Sequence, residues 1–104
     1  MCHVLIVDDE PAICASLSFA LEDEFRVFEA HTAQAALAAV RQKDVDIVLL
    51  DLKLGPSDGM EVLQQMKCEK PALVIIMMTA FGSIHSSVAA MKAGKPVASE
   101  VGGA

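Results

Sequence analysis

The sequence predicts an α/β domain built on a doubly wound parallel sheet, and three observations carry that prediction. Short apolar runs rich in β-branched residues alternate with stretches of helix formers. Two of these runs, Ile47–Leu50 and Val74–Met78, are apolar at every position, as strands covered on both faces are. Three of the runs deliver oxygen-bearing side chains just where they stop, namely Asp8 with Asp9, Asp51, and Thr79. In a parallel sheet with right-handed crossovers those ends share one edge, where open α/β sheets place their ligands.

Taken in order, His3–Val7 is a strand that stops at Asp8-Asp9-Glu10-Pro11. Pro11 suits the first turn of a helix, and Ile13, Leu17 and Leu21 form one apolar stripe until Glu22-Asp23-Glu24. Phe25–Ala30 is a more mixed strand, expected nearer an edge. Thr32 caps a helix over Ala33–Gln42, with Leu37 and Val40 facing the core. The third strand ends at Asp51, and the loop Lys53–Gly59 follows. A third helix is expected from about Met60 to Lys67, with Met60, Leu63 and Met66 or Lys67 on one side and Pro71 at its exit. Ala72–Met78 forms the fourth strand, Thr79–Ser83 a loop, and Ile84, Val88 and Met91 mark a fourth helix ending at Gly94.

A chain of 104 residues suits one domain, and a hydrophobic fraction of 54% is ample for a core. The core is expected over residues 1–94, whereas residues 95–104 lose all periodicity and read as an irregular or truncated tail. No apolar run approaches the ~20 residues of a membrane span. Asp8, Asp9 and Glu10 interrupt the apolar start, unlike a secretory signal, so the expected location is the cytoplasm. The net charge of −6 excludes an electrostatic nucleic-acid surface in this segment. Cys2, Cys14 and Cys68 are odd in number and lack CxxC spacing, so they read as small buried or half-buried thiols. His3, His31 and His85 share no metal-ligand spacing and read as incidental.

The chemistry follows from what the strand ends bring together. Carboxylates ~4–6 Å apart repel and raise one another's pKa unless a cation lies among them. Carboxylates, a backbone carbonyl and waters match Mg²⁺. A carboxylate beside such an ion is able to attack phosphorus and form an aspartyl-phosphate, with Thr79 and a lysine steadying the phosphoryl oxygens.

Four stretches, Val4–Glu10, Ile47–Leu52, Asp58–Leu63 and Val74–Ala80, resemble the receiver domains of two-component response regulators, and the likeness runs from about His3 to Gly94. Phe81-Gly82-Ser83 and Ala89–Gly94 look most like receivers of NtrC-like transcriptional regulators. The resemblance implies a flavodoxin-like sheet of order 2-1-3-4-(5). It implies Asp51 as phosphoacceptor, Asp8 and Asp9 as the acidic Mg²⁺ pair, the Lys53 carbonyl as a further metal ligand, and Thr79 as the switch hydroxyl. It also implies a sensor histidine kinase as donor and an output domain, or another receiver chain in a homodimer, as partner.

Departures from the family pattern are equally plain. Gly94 runs directly into Lys95-Pro96, several residues short of that pattern, and the chain holds no Tyr. Ala93 stands where the switch aromatic is expected, so strand five and helix five read as missing or altered. Lys95 stands either as the phosphate-binding lysine of the family or as a solvated side chain. Two functions therefore compete: a phosphoacceptor receiver, and a receiver-derived interaction module without productive switching. An aspartate-nucleophile phosphohydrolase is weaker, because Lys53 occupies the place of its second acid.

Overall fold

The computed structural model describes residues 2–51, 53–54, 57–78 and 100–101. Strands β1 (His3–Val7), β2 (Arg26–Ala30) and β3 (Ile47–Asp51) alternate with helices α1 (Pro11–Leu21) and α2 (Ala33–Gln42). Beyond β3 come two short strands, β4 (Lys53–Leu54) and β5 (Ser57–Asp58), then α3 (Gly59–Glu69), β6 (Val74–Met78) and β7 (Glu100–Val101).

The main sheet has the order β2-β1-β3-β6-β7, in which the first four strands run parallel. That is the expected 2-1-3-4 arrangement, with β6 as the fourth long strand. The mixed sequence Arg26–Ala30 does lie at an edge. β7 pairs antiparallel with β6, Ile75 opposite Val101 and Ile76 opposite Glu100, so the place beside β6 holds a short reversed strand.

Two hydrophobic clusters explain the uninterrupted apolar strands. Val4, Ile6, Leu49 and Ile76 pack on the α1 side with Cys14, Leu17 and Leu21. Leu5, Val7, Val48, Leu50, Ile75 and Met77 pack on the other side with Ala36 and Val40 of α2 and Val62, Leu63 and Met66 of α3. Successive strand residues point to opposite faces, so each strand must be apolar throughout. Each fully buried Leu or Ile contributes ~1.5–3 kcal/mol.

The helices form largely where the sequence places them. Thr32 Oγ1 accepts from the Ala35 amide at 3.1 Å and caps α2. Ala36 and Val40 are its buried residues, with Leu37 only partly covered. In α1 the fully buried stripe is Cys14, Leu17 and Leu21, and Ile13 is partly covered. The stripe expected on α3 is only partly its inner face: Met60 is 40% exposed, whereas Gly59, Val62, Leu63 and Met66 are buried. Asp58 sets that register, because its carboxylate accepts from the Met60 amide at 3.1 Å and starts the helix one residue earlier than predicted. The expected fourth helix, from Ile84 to Gly94, lies outside the described residues.

Connections are tied at the opposite end of the sheet. Lys67 Nζ donates to the carbonyls of Pro71 at 2.9 Å and Leu73 at 2.8 Å, fixing the passage from α3 into β6. Lys70 Nζ donates to the Val45 carbonyl, and the His3 amide donates to Asp46 Oδ2 at 2.9 Å. The polar ties gathered there leave the carboxyl ends of the strands to the acidic residues.

Candidate functional site

Register alone brings two carboxylates together. Val7 of β1 stands opposite Leu50 of β3, so the next residues along, Asp8 and Asp51, leave the sheet side by side. Asp8 is fixed there by its backbone, since its amide donates to the Ala30 carbonyl at 3.1 Å and extends the β1 to β2 ladder by one step. Its Oδ1 accepts from the Glu10 amide at 2.9 Å, a turn that carries the chain into Pro11 and α1. Asp9 lies within that turn and is exposed. One carboxylate oxygen from each of Asp8, Asp9 and Asp51 falls within 4.8 Å of the others.

This grouping costs free energy in the absence of a cation. At an effective dielectric constant of about 20, two unit charges ~5 Å apart repel by roughly 3 kcal/mol. Asp8 carries much of that burden because it is only 3% exposed. Burial, joined by the charges of Asp51, Asp9 and Glu10, lifts its carboxyl from the ordinary 3.8 to about 6, although the Glu10 amide opposes the rise. Below it, Cys14 Sγ donates to the Asp8 carbonyl at 3.6 Å. Burial pushes that thiol up to about 12, and the charges of Asp8 and Glu29 add to the effect.

An all-oxygen set of converging carboxylates suits a hard dication such as Mg²⁺, which keeps several waters and takes one or two carboxylates directly. The remaining expected residues are distributed differently. Lys53 opens β4, where its backbone pairs with Asp58 and Leu54 pairs with Ser57. Leu54 is 2% exposed, so β4 meets the core through that side chain. Met78, the last residue of β6, stands in register with Asp51. Thr79, the next residue, lies outside the described residues, as do Phe81 and Lys95.

A second set of donors went unnoticed in the sequence. Cys14, Glu29 and His31 each offer one ligand atom, and these atoms also lie within 4.8 Å of one another. Glu29 lies in β2 and His31 one residue beyond its end, so only their closeness in the chain was visible beforehand. Of the thiols, Cys14 is buried, Cys2 is half-buried and Cys68 is exposed. No helix among the described residues is long and apolar enough to cross a membrane.

Comparison with known proteins gives a consistent result. The sequence matches the family model described as "Response regulator receiver domain" over residues 4–96. It is 39% identical over 92 residues to the transcriptional regulatory protein ZraR of Salmonella typhimurium, covering 88% of this chain and 21% of ZraR. The chain thus spans about a fifth of the length of that relative. Among solved structures, a CheY-like receiver domain from Methanospirillum hungatei superposes with a TM-score of 0.74 at 33% identity, over 91% of this chain and 77% of that one. The response regulator TrrA from Thermotoga maritima, solved in complex with Mg²⁺-BeF, gives a TM-score of 0.73 at 30% identity, over 93% and 85% of the two chains. With its sheet order, its two-faced core and its edge of three carboxylates, the chain belongs to the response regulator receiver domain family.

Proposed function

We propose that this receiver accepts a phosphoryl group on Asp51 from the phosphohistidine of a sensor histidine kinase and so governs an output domain that regulates transcription. The observation that carries this reading is the convergence of Asp8, Asp9 and Asp51 within 4.8 Å at the carboxyl edge of the sheet. In this reading Asp8, Asp9 and Asp51, with the Lys53 carbonyl, hold Mg²⁺. The bound ion supplies charge neutralisation for the carboxylates and the incoming phosphoryl oxygens. A carboxylate oxygen of Asp51 attacks phosphorus, the P–N bond to histidine breaks, and an acyl phosphate forms. Attack by water later releases inorganic phosphate and restores the carboxylate. Asp8, whose carboxyl burial lifts to about 6, is mostly ionised at neutral pH, and a cation held there favours that charged form further. Thr79 is the hydroxyl that meets the new phosphoryl oxygens, and Lys95 is its candidate cationic partner.

The partners in this reading are the kinase and an output domain or another receiver chain, and the place of action is the cytoplasm. Nucleic acid is contacted by the output domain, in keeping with the net charge of −6 on this segment. TrrA in its Mg²⁺-BeF complex supports the choice of ion by kinship. A second reading, an interaction module without productive switching, draws on the short reversed β7 beside β6.

Intact mass before and after treatment with a small acyl phosphate, with and without Mg²⁺, separates the two. A single Mg²⁺-dependent phosphoryl adduct that is absent in Asp51→Asn supports the receiver reading. A folded chain that takes no adduct overturns it in favour of the interaction module.

A further inference from the structure

Cys14, Glu29 and His31 come from two elements that meet on the α1 face of the sheet. Alternation along β2 puts Val27 and Glu29 on one side, Val27 packs against the cluster that contains Cys14, and His31 follows one residue beyond the strand with its Nε2 3.6 Å from Glu29 Oε1. Cys14 belongs to the buried stripe of α1 and has no exposed surface. Its sulfur is held in place by that packing and by its contact with the Asp8 carbonyl. The side chains of Glu29 and His31 are 35% and 45% exposed, so the group is closed by the core on one side and open to solvent on the other. β2 is the outermost strand of the sheet, which leaves the approach clear of other described strands.

We propose that Cys14 Sγ, a Glu29 carboxylate oxygen and a His31 imidazole nitrogen form a Zn²⁺ site distinct from the carboxylate cluster. Donor chemistry selects the metal: thiolate with imidazole is a poor set for Mg²⁺, which demands oxygen, and a good one for Zn²⁺. Geometry is close to what that ion requires. Tetrahedral bonds of ~2.0–2.3 Å hold neighbouring donor atoms ~3.4–3.6 Å apart. Glu29 Oε1 and His31 Nε2 are already 3.6 Å apart. The whole group lies within 4.8 Å, so closure requires the sulfur and its partners to approach by roughly 1 Å. Rotation of the Glu29 and His31 side chains supplies that movement while the buried sulfur stays. Water completes a fourth position, as in zinc sites with three protein ligands. The S–Zn bond forms as the thiol proton leaves to solvent, and the S–H contact with the Asp8 carbonyl is given up in the same step. An exposed glutamate and histidine paired by chance beside a core cysteine is the competing account, and it requires no metal.

Equilibrium dialysis of the untagged chain against Zn²⁺, in excess Mg²⁺ to keep the carboxylate cluster filled, followed by metal analysis, tests the site. One Zn²⁺ per chain is expected in the wild type and in Asp51→Asn. Outer-shell losses alone cost ~10–100-fold in metal affinity, so His31→Gln and Glu29→Gln are each expected to weaken binding by tenfold or more. Both positions are exposed, so these variants remain folded where Cys14→Ser fails to fold. Co²⁺ in place of Zn²⁺ is expected to give an intense near-ultraviolet thiolate charge-transfer band that is weakened in His31→Gln. Absence of that band, absence of Zn²⁺ uptake, or uptake lost in Asp51→Asn and kept in His31→Gln, overturns the proposal.

Discussion

The Glu10 amide donates to Asp8 Oδ1 at 2.9 Å and favours the charged form of a carboxylate almost wholly withdrawn from water. Burial outweighs it, and Asp8 titrates near 6 in the fold against an ordinary 3.8. The folded chain therefore binds more protons than the unfolded chain between these values, and stability falls as pH rises through them. The contribution of neutral Asp8 is complete below 3.8 and is lost as pH passes about 6. With solvent screening it amounts to of order 2 kcal/mol. Asn at this position keeps an acceptor for the Glu10 amide without the charge. In chelator, Asp8→Asn is expected to raise stability near neutral pH by about 1–2 kcal/mol and to flatten the slope in the acid range. Urea unfolding at a series of pH values checks this, and an unchanged slope assigns the titration elsewhere.

Divalent cation is expected to reverse the same penalty. Mg²⁺ at about ten times its dissociation constant adds ~1.4 kcal/mol to the folded state. In a domain of this size that raises Tm by roughly 5–10 °C. The shift is expected to shrink in both Asp8→Asn and Asp51→Asn, and thermal melts with Mg²⁺ and with chelator measure it. Equal shifts in the wild type and both variants place the ion outside the carboxylate cluster.

The α2 cap gives a prediction independent of the site. Thr32 Oγ1 satisfies the Ala35 amide, so Thr32→Ala is expected to cost about 1 kcal/mol and Thr32→Ser far less. Denaturant midpoints at constant m-value provide the comparison.

Leu50 and Phe19 define the extremes of apolar burial. Leu50 is 0% exposed beneath α2 and α3, and Leu50→Ala is expected to cost ~2–5 kcal/mol. Phe19 projects from α1 with 78% of its surface exposed, so Phe19→Gln is expected to change stability by no more than ~0.5 kcal/mol. A large loss for Phe19→Gln in dilute solution would reveal a surface that is covered there.

What was legible in the sequence was what depends on period and register. Strand alternation, the bounds of α2 and the meeting of Asp8, Asp9 and Asp51 all follow from residue spacing once the sheet is parallel. The inner face of α3 was not legible, because spacing from Met60 and spacing from Gly59 give equally good stripes and only the Asp58 cap decides between them. In α1, Cys14 and Ile13 compete for the same inner position, and the smaller thiol takes it beneath Asp8. The group of Cys14, Glu29 and His31 was hidden for a different reason. It joins a helix to a neighbouring strand across the sheet face, a proximity that no local pattern encodes.

β3 is laced to a parallel neighbour on each side, β1 on one and β6 on the other. If Asp51 carries the phosphoryl group proposed above, the strand that bears it yields only when two ladders open together. The β4 to β5 ladder, by contrast, belongs to a separate two-stranded sheet and passes straight into α3 through Asp58.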